Sequence, residues 1–248
     1  MRVLLHTFKL SILLAASSTT LAAPAIRVAL GENKPPYIMQ EAHAGIEYEL
    51  ITTTLKRAGF QVEAQHMPNK RALNLFASGK IDATIVADGA IVSEPYIAYK
   101  NMAVTLCEKN IRLEHVNDLR QYQVATFHNA SQLLGTDFAR AVADDSRYSE
   151  VSPQYLLNRM LAAGRIQVAI SDINIFKHFN QALDSQERRT LCPYALFSPT
   201  RYRLAFRNSA NRDRFNTALH ELREAGFYEQ LAQKYALLLE NERPYFKP

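Results

Sequence analysis

The sequence predicts an α/β chain built from two similar lobes, and three observations predict it. The first is an internal repeat. Arg71–Asp88, RALNLFASGKIDATIVAD, reads as an amphipathic helix, a glycine stop and a short apolar strand with a polar end. Leu157–Asp172, LNRMLAAGRIQVAISD, reads the same way. Aligning Gly79 with Gly164 pairs Ala77 with Ala162, Lys80 with Arg165, Ile81 with Ile166 and Ile85 with Ile170. Each copy ends on an aspartate, Asp88 and Asp172, one residue out of register. The second observation is a βαβαβ alternation leading into the first copy, the signature of a parallel sheet. The third is composition: 248 residues, 48% hydrophobic and 21% charged, hold enough core for one large or two medium domains. In such folds a ligand is expected between the lobes, beyond the C-terminal ends of the strands.

The elements follow in order. Ile26–Leu30 is an apolar strand. Gly31–Tyr37 is a loop in which Pro35 and Pro36 enforce extended backbone, so Tyr37 stands on a stiff segment at a strand end. Ile46, Leu50, Ile51, Leu55 and Ala58 keep helical spacing between Gly45 and Gly59. Phe60–Ala64 alternates as a strand, and Pro68 suits the start of the repeat helix. After the strand Ile81–Val86, the segment Asp88–Tyr99 reads as irregular, broken by Pro95. Met102–Cys107 and Val124–Phe127 are strands with a helical turn, Val116–Leu119, between them. Ser131–Val142 reads as one helix, with Leu133, Leu134, Phe138 and Val142 near one face. Ser131 or Asn129 can cap it, and its first N–H groups suit a carboxylate. Tyr155–Ala163 (helix), Ile166–Ile170 (strand) and Ile173–Ala182 (helix) follow. Cys192–Pro199 reads as loop, Tyr202–Phe206 as strand, and Asn211–Ala225 and Tyr228–Leu239 as helices.

The N-terminus reads as a leader. Arg2 and Lys9 precede the apolar LSILLAA, and small residues run to Ala22–Ala23, the form of a cleaved secretory signal. The mature chain is therefore expected in the periplasm. Its removal leaves 27 basic against 24 acidic residues, a net +3 in place of +5. That mild, scattered charge gives no basic face for nucleic acid. In an oxidising compartment the two cysteines, Cys107 and Cys192, read as a disulfide, with two separate buried thiols as the alternative. No histidine spacing suggests a metal, no glycine-rich loop suggests a nucleotide, and no nucleophile motif suggests a hydrolase. No cofactor is expected.

Several short stretches in this order resemble the bacterial periplasmic solute-binding proteins of the amino-acid-binding type, extracellular family 3. They are Pro35–Tyr37, Gly45–Leu50, Pro68–Leu73, Gly79–Ala83, Ser93–Tyr96, Asp118-Leu119, Asp172 and the tail Phe215–Tyr235. The resemblance implies a two-lobed type II periplasmic-binding-protein fold with two hinge crossings. Residues 1–22 would be the signal, 23–103 with 202–248 lobe 1, and 104–201 lobe 2. It implies a monomer that closes over a small polar solute and hands it to an ABC permease. A membrane sensor as partner, or a cyclohexadienyl-dehydratase-like enzyme on the same fold, are its alternatives. The sequence departs from the family after Val86: VADGAIVSEP lacks the Thr and Arg that clamp a ligand carboxylate.

The candidate site residues are Tyr37, Arg71, Asp88, Glu94, Asn129, Ser131 and Asp172. Tyr37 stacks on the ligand or packs the lobe. Arg71 clamps an anion or makes a surface salt bridge. Asp88 faces the cleft or caps a turn, and Glu94 is similar. Asn129 and Ser131 meet the ligand carboxylate, as the family implies, and Ser131 also caps its helix. Asp172 stands where the family pairs a ligand ammonium, and equally caps the helix after it.

Overall fold

The computed structural model describes residues 23–143, 146–236 and 246–248. The expected leader, residues 1–22, lies outside the described residues, as does the end of the last expected helix, 237–239.

Two five-stranded sheets carry the molecule. The first has the order β2-β1-β3-β10-β4, from β1 (Ala25–Leu30), β2 (Gln61–His66), β3 (Ala83–Val86), β4 (Ile97–Tyr99) and β10 (Thr200–Phe206). The second has the order β7-β6-β8-β5-β9, from β5 (Asn101–Leu106), β6 (Val124–Phe127), β7 (Tyr148–Val151), β8 (Val168–Asp172) and β9 (Leu191–Tyr194). Their topologies match strand for strand. β2, β1 and β3 run parallel, as do β7, β6 and β8, while β10 pairs antiparallel with β3 as β5 does with β8. The sequence repeat sits at the same place in both: helix α2 (Asn69–Ala77) feeds β3, and α5 (Tyr155–Ala162) feeds β8.

Helices cover the sheets because the central strands are apolar on both sides. In β8, Val168 and Ile170 join one core, and Ala169 joins the other with Leu157 and Leu161 of α5. In lobe 1, helix α1 (Ile46–Arg57) buries Leu50, Ile51 and Leu55 against Val28, Leu30, Leu204 and Phe206. Helices α7 (Ser209–Glu224) and α8 (Phe227–Lys234) add Phe215, Leu219, Tyr228 and Leu231 to that core.

Four segments differ from the sequence expectation, one being β7, which forms where no element was expected. The tail of the supposedly irregular Asp88–Tyr99 forms β4, and Cys192–Pro199 begins as strand β9 rather than loop. Pro193 is tolerated there because β9 is a sheet edge, where a missing N–H costs no ladder bond. Ser131–Val142 is two helices, α3 (Ala130–Leu133) and α4 (Thr136–Val142), interrupted at Gly135. Helix α6 (Ile173–Gln181) follows β8 directly, with Asp172 as both last strand residue and N-cap. Cys107 and Cys192 form a disulfide that ties the end of β5 to β9 within one sheet.

The chain passes between the sheets twice. Lys100 separates β4 from β5, and residues 195–199 separate β9 from β10. The two crossings touch through the Asn101 amide, which donates to Thr200 Oγ1 at 3.0 Å.

Candidate functional site

All six parallel strands end at the same place. The chain beyond β1 (Gly31–Lys34), β2 (Pro68–Asn74) and β3 (Ala87, Asp88) faces that beyond β6 (Phe127–Leu133), β7 (Val151–Gln154) and β8 (Asp172, Ile175). Two cavities of about 530 and 330 Å³ fill this cleft and share Lys34, Asn69, Phe127 and Gln154. The larger carries Glu32, Lys70, Arg71, His128 and Ser152. The smaller carries Asp88, Asp172, Asn101 and Gln132 among the apolar faces of Ile85, Tyr99, Ile175 and Tyr202.

At the back of the cleft, Asp172 is buried and engaged on both oxygens. Oδ1 accepts from the Asn174 and Ile175 N–H groups at 3.0 and 3.3 Å, the N-cap of α6. Oδ2 accepts from the Lys100 N–H at 2.8 Å and from the Tyr37 hydroxyl at 3.3 Å. One carboxylate thus joins lobe 2, the crossing strand and lobe 1. Burial pushes its pKa up to about 6, against the opposing N–H bonds. Tyr37 is fully buried, stacks on Tyr99 at 4.3 Å and accepts a bond from the Asn174 amide at 3.3 Å.

A second buried carboxylate, Glu47 in the first turn of α1, holds the roof of lobe 1. It accepts from the Tyr96 and Tyr99 hydroxyls at 2.8 and 2.7 Å and pairs with Lys34 Nζ at 2.8 Å. Burial and the Glu47 charge push both tyrosines well above their ordinary pKa. Gly45 makes this packing possible. Its φ is +117°, and a Cβ there would stand 2.3 Å from the Tyr37 carbonyl oxygen. That carbonyl accepts from the Glu47 and Tyr48 N–H groups, which sets the Tyr37 loop against the helix start. Nothing in the apolar spacing of α1 marks Glu47. Its position inside the first helical turn of an otherwise apolar face was the one available signal, and Lys34 beside the proline pair was equally unremarkable.

The Asn129–Ser131 loop is filled by the protein itself. Glu150, at its edge in β7, accepts from the Asn129 N–H at 2.7 Å, the Ser131 N–H at 3.0 Å, the Ser131 hydroxyl at 2.8 Å and the Tyr148 hydroxyl at 2.7 Å. Burial opposes the charge, but the Ser131, Tyr148 and Asn129 donors together hold the carboxyl below its usual range. The donors expected to meet a ligand carboxylate therefore already hold one. Ser131 lines neither cleft cavity, while Asn129 reaches the smaller one.

The remaining candidates divide. Arg71 lines the larger cavity and is exposed; Asp88 lines the smaller one and accepts the Gly89 N–H at 2.8 Å. Glu94 stands outside both. It pairs with Arg223 of α7 at 2.9 Å, and its N–H donates to Asn216 of the same helix, because Pro95 turns the segment onto α7. Among the described residues, no group of three or more His, Cys, Asp or Glu converges as for a metal, and no helix is long and apolar enough to cross a membrane.

The model of the bacterial extracellular solute-binding proteins, family 3, matches residues 26–237. No curated protein matches the chain significantly. Among solved structures, a histidine kinase sensor domain with similarity to periplasmic binding proteins superposes with a TM-score of 0.73 at 20% identity, over 86% of this chain and 96% of the other. An ancestral arginine-binding protein bound to glutamine gives 0.70 at 20% identity, covering 85% and 97%. The arginine-, lysine-, histidine-binding protein ArtJ from Geobacillus stearothermophilus gives 0.70 at 14% identity, covering 85% and 94%.

Proposed function

Since the chain belongs to the bacterial extracellular solute-binding proteins of family 3, we propose that it binds one small polar solute, amino-acid-like or carboxylate-bearing, in the interlobe cleft. Solute binding draws the lobes together about the two crossings, and the closed form presents the solute to an ABC permease from the periplasm. The observation that carries this reading is the convergence of six strand ends, three from each sheet, on one cleft whose larger cavity carries Lys70 and Arg71 beside Glu32 and whose smaller cavity carries Asp88 and Asp172, with Lys34 between them. A zwitterion suits that arrangement: the Lys34, Lys70 and Arg71 cations attract its acid group and Asp88 its amine.

Acid catalysis by a cleft carboxyl is less well supported. Asp172 has both oxygens committed to four donors, and Glu94 is ion-paired away from the cleft. Sensing stays in view as the second reading of the partner, since a sensor domain shares the architecture.

Thermal-shift screening of the mature chain against amino acids, opines, polyamines and dicarboxylates tests the reading. A ligand that binds the native state alone raises the melting temperature with its concentration over Kd. Arg71→Ala and Asp88→Ala should each weaken the hit about two- to fivefold. If no compound shifts the melting temperature, the binding reading fails. If a hit binds both variants normally, the placement of the solute fails.

A further inference from the structure

Resting on that reading, we propose that Lys34 is the anchor of the cleft. It holds the carboxylate of the solute at the junction of the two cavities, with the amides of Asn69 from lobe 1 and Gln154 from lobe 2 completing the anion site.

Among the described residues, four line both cavities, and Lys34 is the one cation of the four. It is also held in place. Its side chain is 13% exposed, its Nζ lies 2.8 Å from the fully buried Glu47, and it sits 5.0 Å from the centre of the Tyr99 ring. An ammonium has three donors, and the Glu47 bond uses one. Glu47 is shared: its two oxygens also accept from the Tyr96 and Tyr99 hydroxyls, so the carboxylate is held in place by three groups and Lys34 contributes one of them. The pair therefore presents a fixed ammonium whose remaining donors meet the cleft.

The neighbouring groups suit a carboxylate. Asn69 opens α2, and Gln154 precedes α5, the matching helix of the repeat. The Gln154 carbonyl oxygen accepts from the Ser171 hydroxyl at 3.3 Å, so the amide N–H₂ is the part of this side chain available to an anion. Arg71 and Lys70 line only the larger cavity and are exposed, so they attract an anion but fix it poorly. The arrangement also answers two features of the chain. The segment after β3 has no arginine, and the Asn129–Ser131 donors are occupied by Glu150. With the acid group at Lys34, the body of the solute enters the smaller cavity, between Tyr99, Tyr202 and Ile175, toward Asp88.

The test uses the twenty L-amino acids and a set of dicarboxylates, each alongside its carboxamide, and for each amino acid the amine left by loss of the carboxyl. Melting temperatures are read for the wild type, Lys34→Gln and the double variant Lys34→Met/Glu47→Gln. Gln keeps a donor for Glu47, and the double variant removes both charges together, so either reports if the other folds poorly. The expected result is a wild-type shift with carboxylates that is absent with their carboxamides and amines, and at least a tenfold weaker affinity in a folded variant. The proposal is overturned if a neutralised analogue binds the wild type as well as its parent acid. It is equally overturned if a folded variant keeps the wild-type shift. In either of those cases the binding reading itself stands; if the whole panel is silent on the wild type, that reading falls and the anchor with it.

Discussion

Two carboxylates near the cleft, Asp172 fully buried and Glu150 partly so, stand in opposite electrostatic circumstances, and their titrations oppose each other. Asp172 is pushed up from 3.8 to about 6 by burial. The folded state then holds a proton that the unfolded state has released, so the stabilisation is complete below pH 3.8 and is lost as pH rises through 6. A shift of that size corresponds to ~2–3 kcal/mol. Glu150 titrates the other way: its carboxyl sits below the ordinary 4.5, so its contribution is present above that value and lost as pH falls through the folded pKa. Urea unfolding from pH 4 to pH 7 should therefore show Asp172→Asn removing the loss of stability between pH 4 and 6. Glu150→Gln should remove part of the acid-side loss and cost about 1–3 kcal/mol at pH 7, where its four donors lose a charged acceptor. Parallel pH profiles for the wild type and both variants would refute this pairing. The sequence made the donors of Asn129–Ser131 legible but not their occupant. Glu150 lies some twenty residues away on a strand with no apolar signature, so only the fold brings it there. Asp172 was legible as a residue at a strand end, where it lines the smaller cavity, whereas Tyr37, read from the same kind of position, is fully buried behind the cleft and lines neither cavity. That each bonds the other, across 135 positions, was not legible.

At the scale of elements, the start of α1 controls the cleft from behind. Gly45 fixes the Tyr37 loop, and the next turn carries Glu47 beneath Lys34. Gly45→Ala needs positive φ from an alanine and drives a methyl into the Tyr37 carbonyl. It should destabilise lobe 1 by ~2–4 kcal/mol, a combination of backbone strain and displaced packing. Circular dichroism melts would read it, and an unchanged melting temperature would contradict the packing. Central elements were readable because burial on both faces leaves a mostly apolar run, as in IRVAL, broken only by Arg27, and VAI, and because glycines close the repeat helices at Gly79 and Gly164. The strands that escaped were β4, β7 and β9, and all three are sheet edges of three or four residues. β7 and β9 are only partly buried, so their pattern is weak, and β9 carries a proline that reads as a loop signal; β4 is fully buried but spans three residues just after Pro95, too few to show an alternation. The helix expected over 131–142 failed for the same kind of reason. Its apolar spacing continues past Gly135, but a mid-helix glycine costs about 1 kcal/mol, and here the chain breaks at it.

For the whole molecule, the arrangement separates a pivot from a pair of lips. The pivot is the crossing at Lys100, where Asp172 receives the Lys100 N–H and the Ile173 N–H returns to the Lys100 carbonyl at 3.1 Å. If the lobes part about this crossing as proposed, groups this close to it should move little, so Tyr37–Asp172 should contribute to folding more than to closure. The lips are the loops after β1 and β7, where the Ser152 hydroxyl donates to Glu32 at 3.2 Å across the cleft. Under the proposed closure this bond forms only when the lobes come together. A two-state equilibrium passes such a difference directly into apparent affinity. Ser152→Ala should therefore weaken solute binding about two- to threefold, the worth of one exposed hydrogen bond, and leave the melting temperature of the solute-free protein unchanged. Tyr37→Phe should do the reverse in emphasis, lowering the solute-free melting temperature by several degrees as a buried bond to Asp172 is lost. Small-angle scattering gives the matching shape measurement: the radius of gyration should fall on adding saturating solute to the wild type, and more solute should be needed to reach the same value in Ser152→Ala. If the two variants act alike on stability and on affinity, pivot and lips are not separable and the cleft does not close as a hinge.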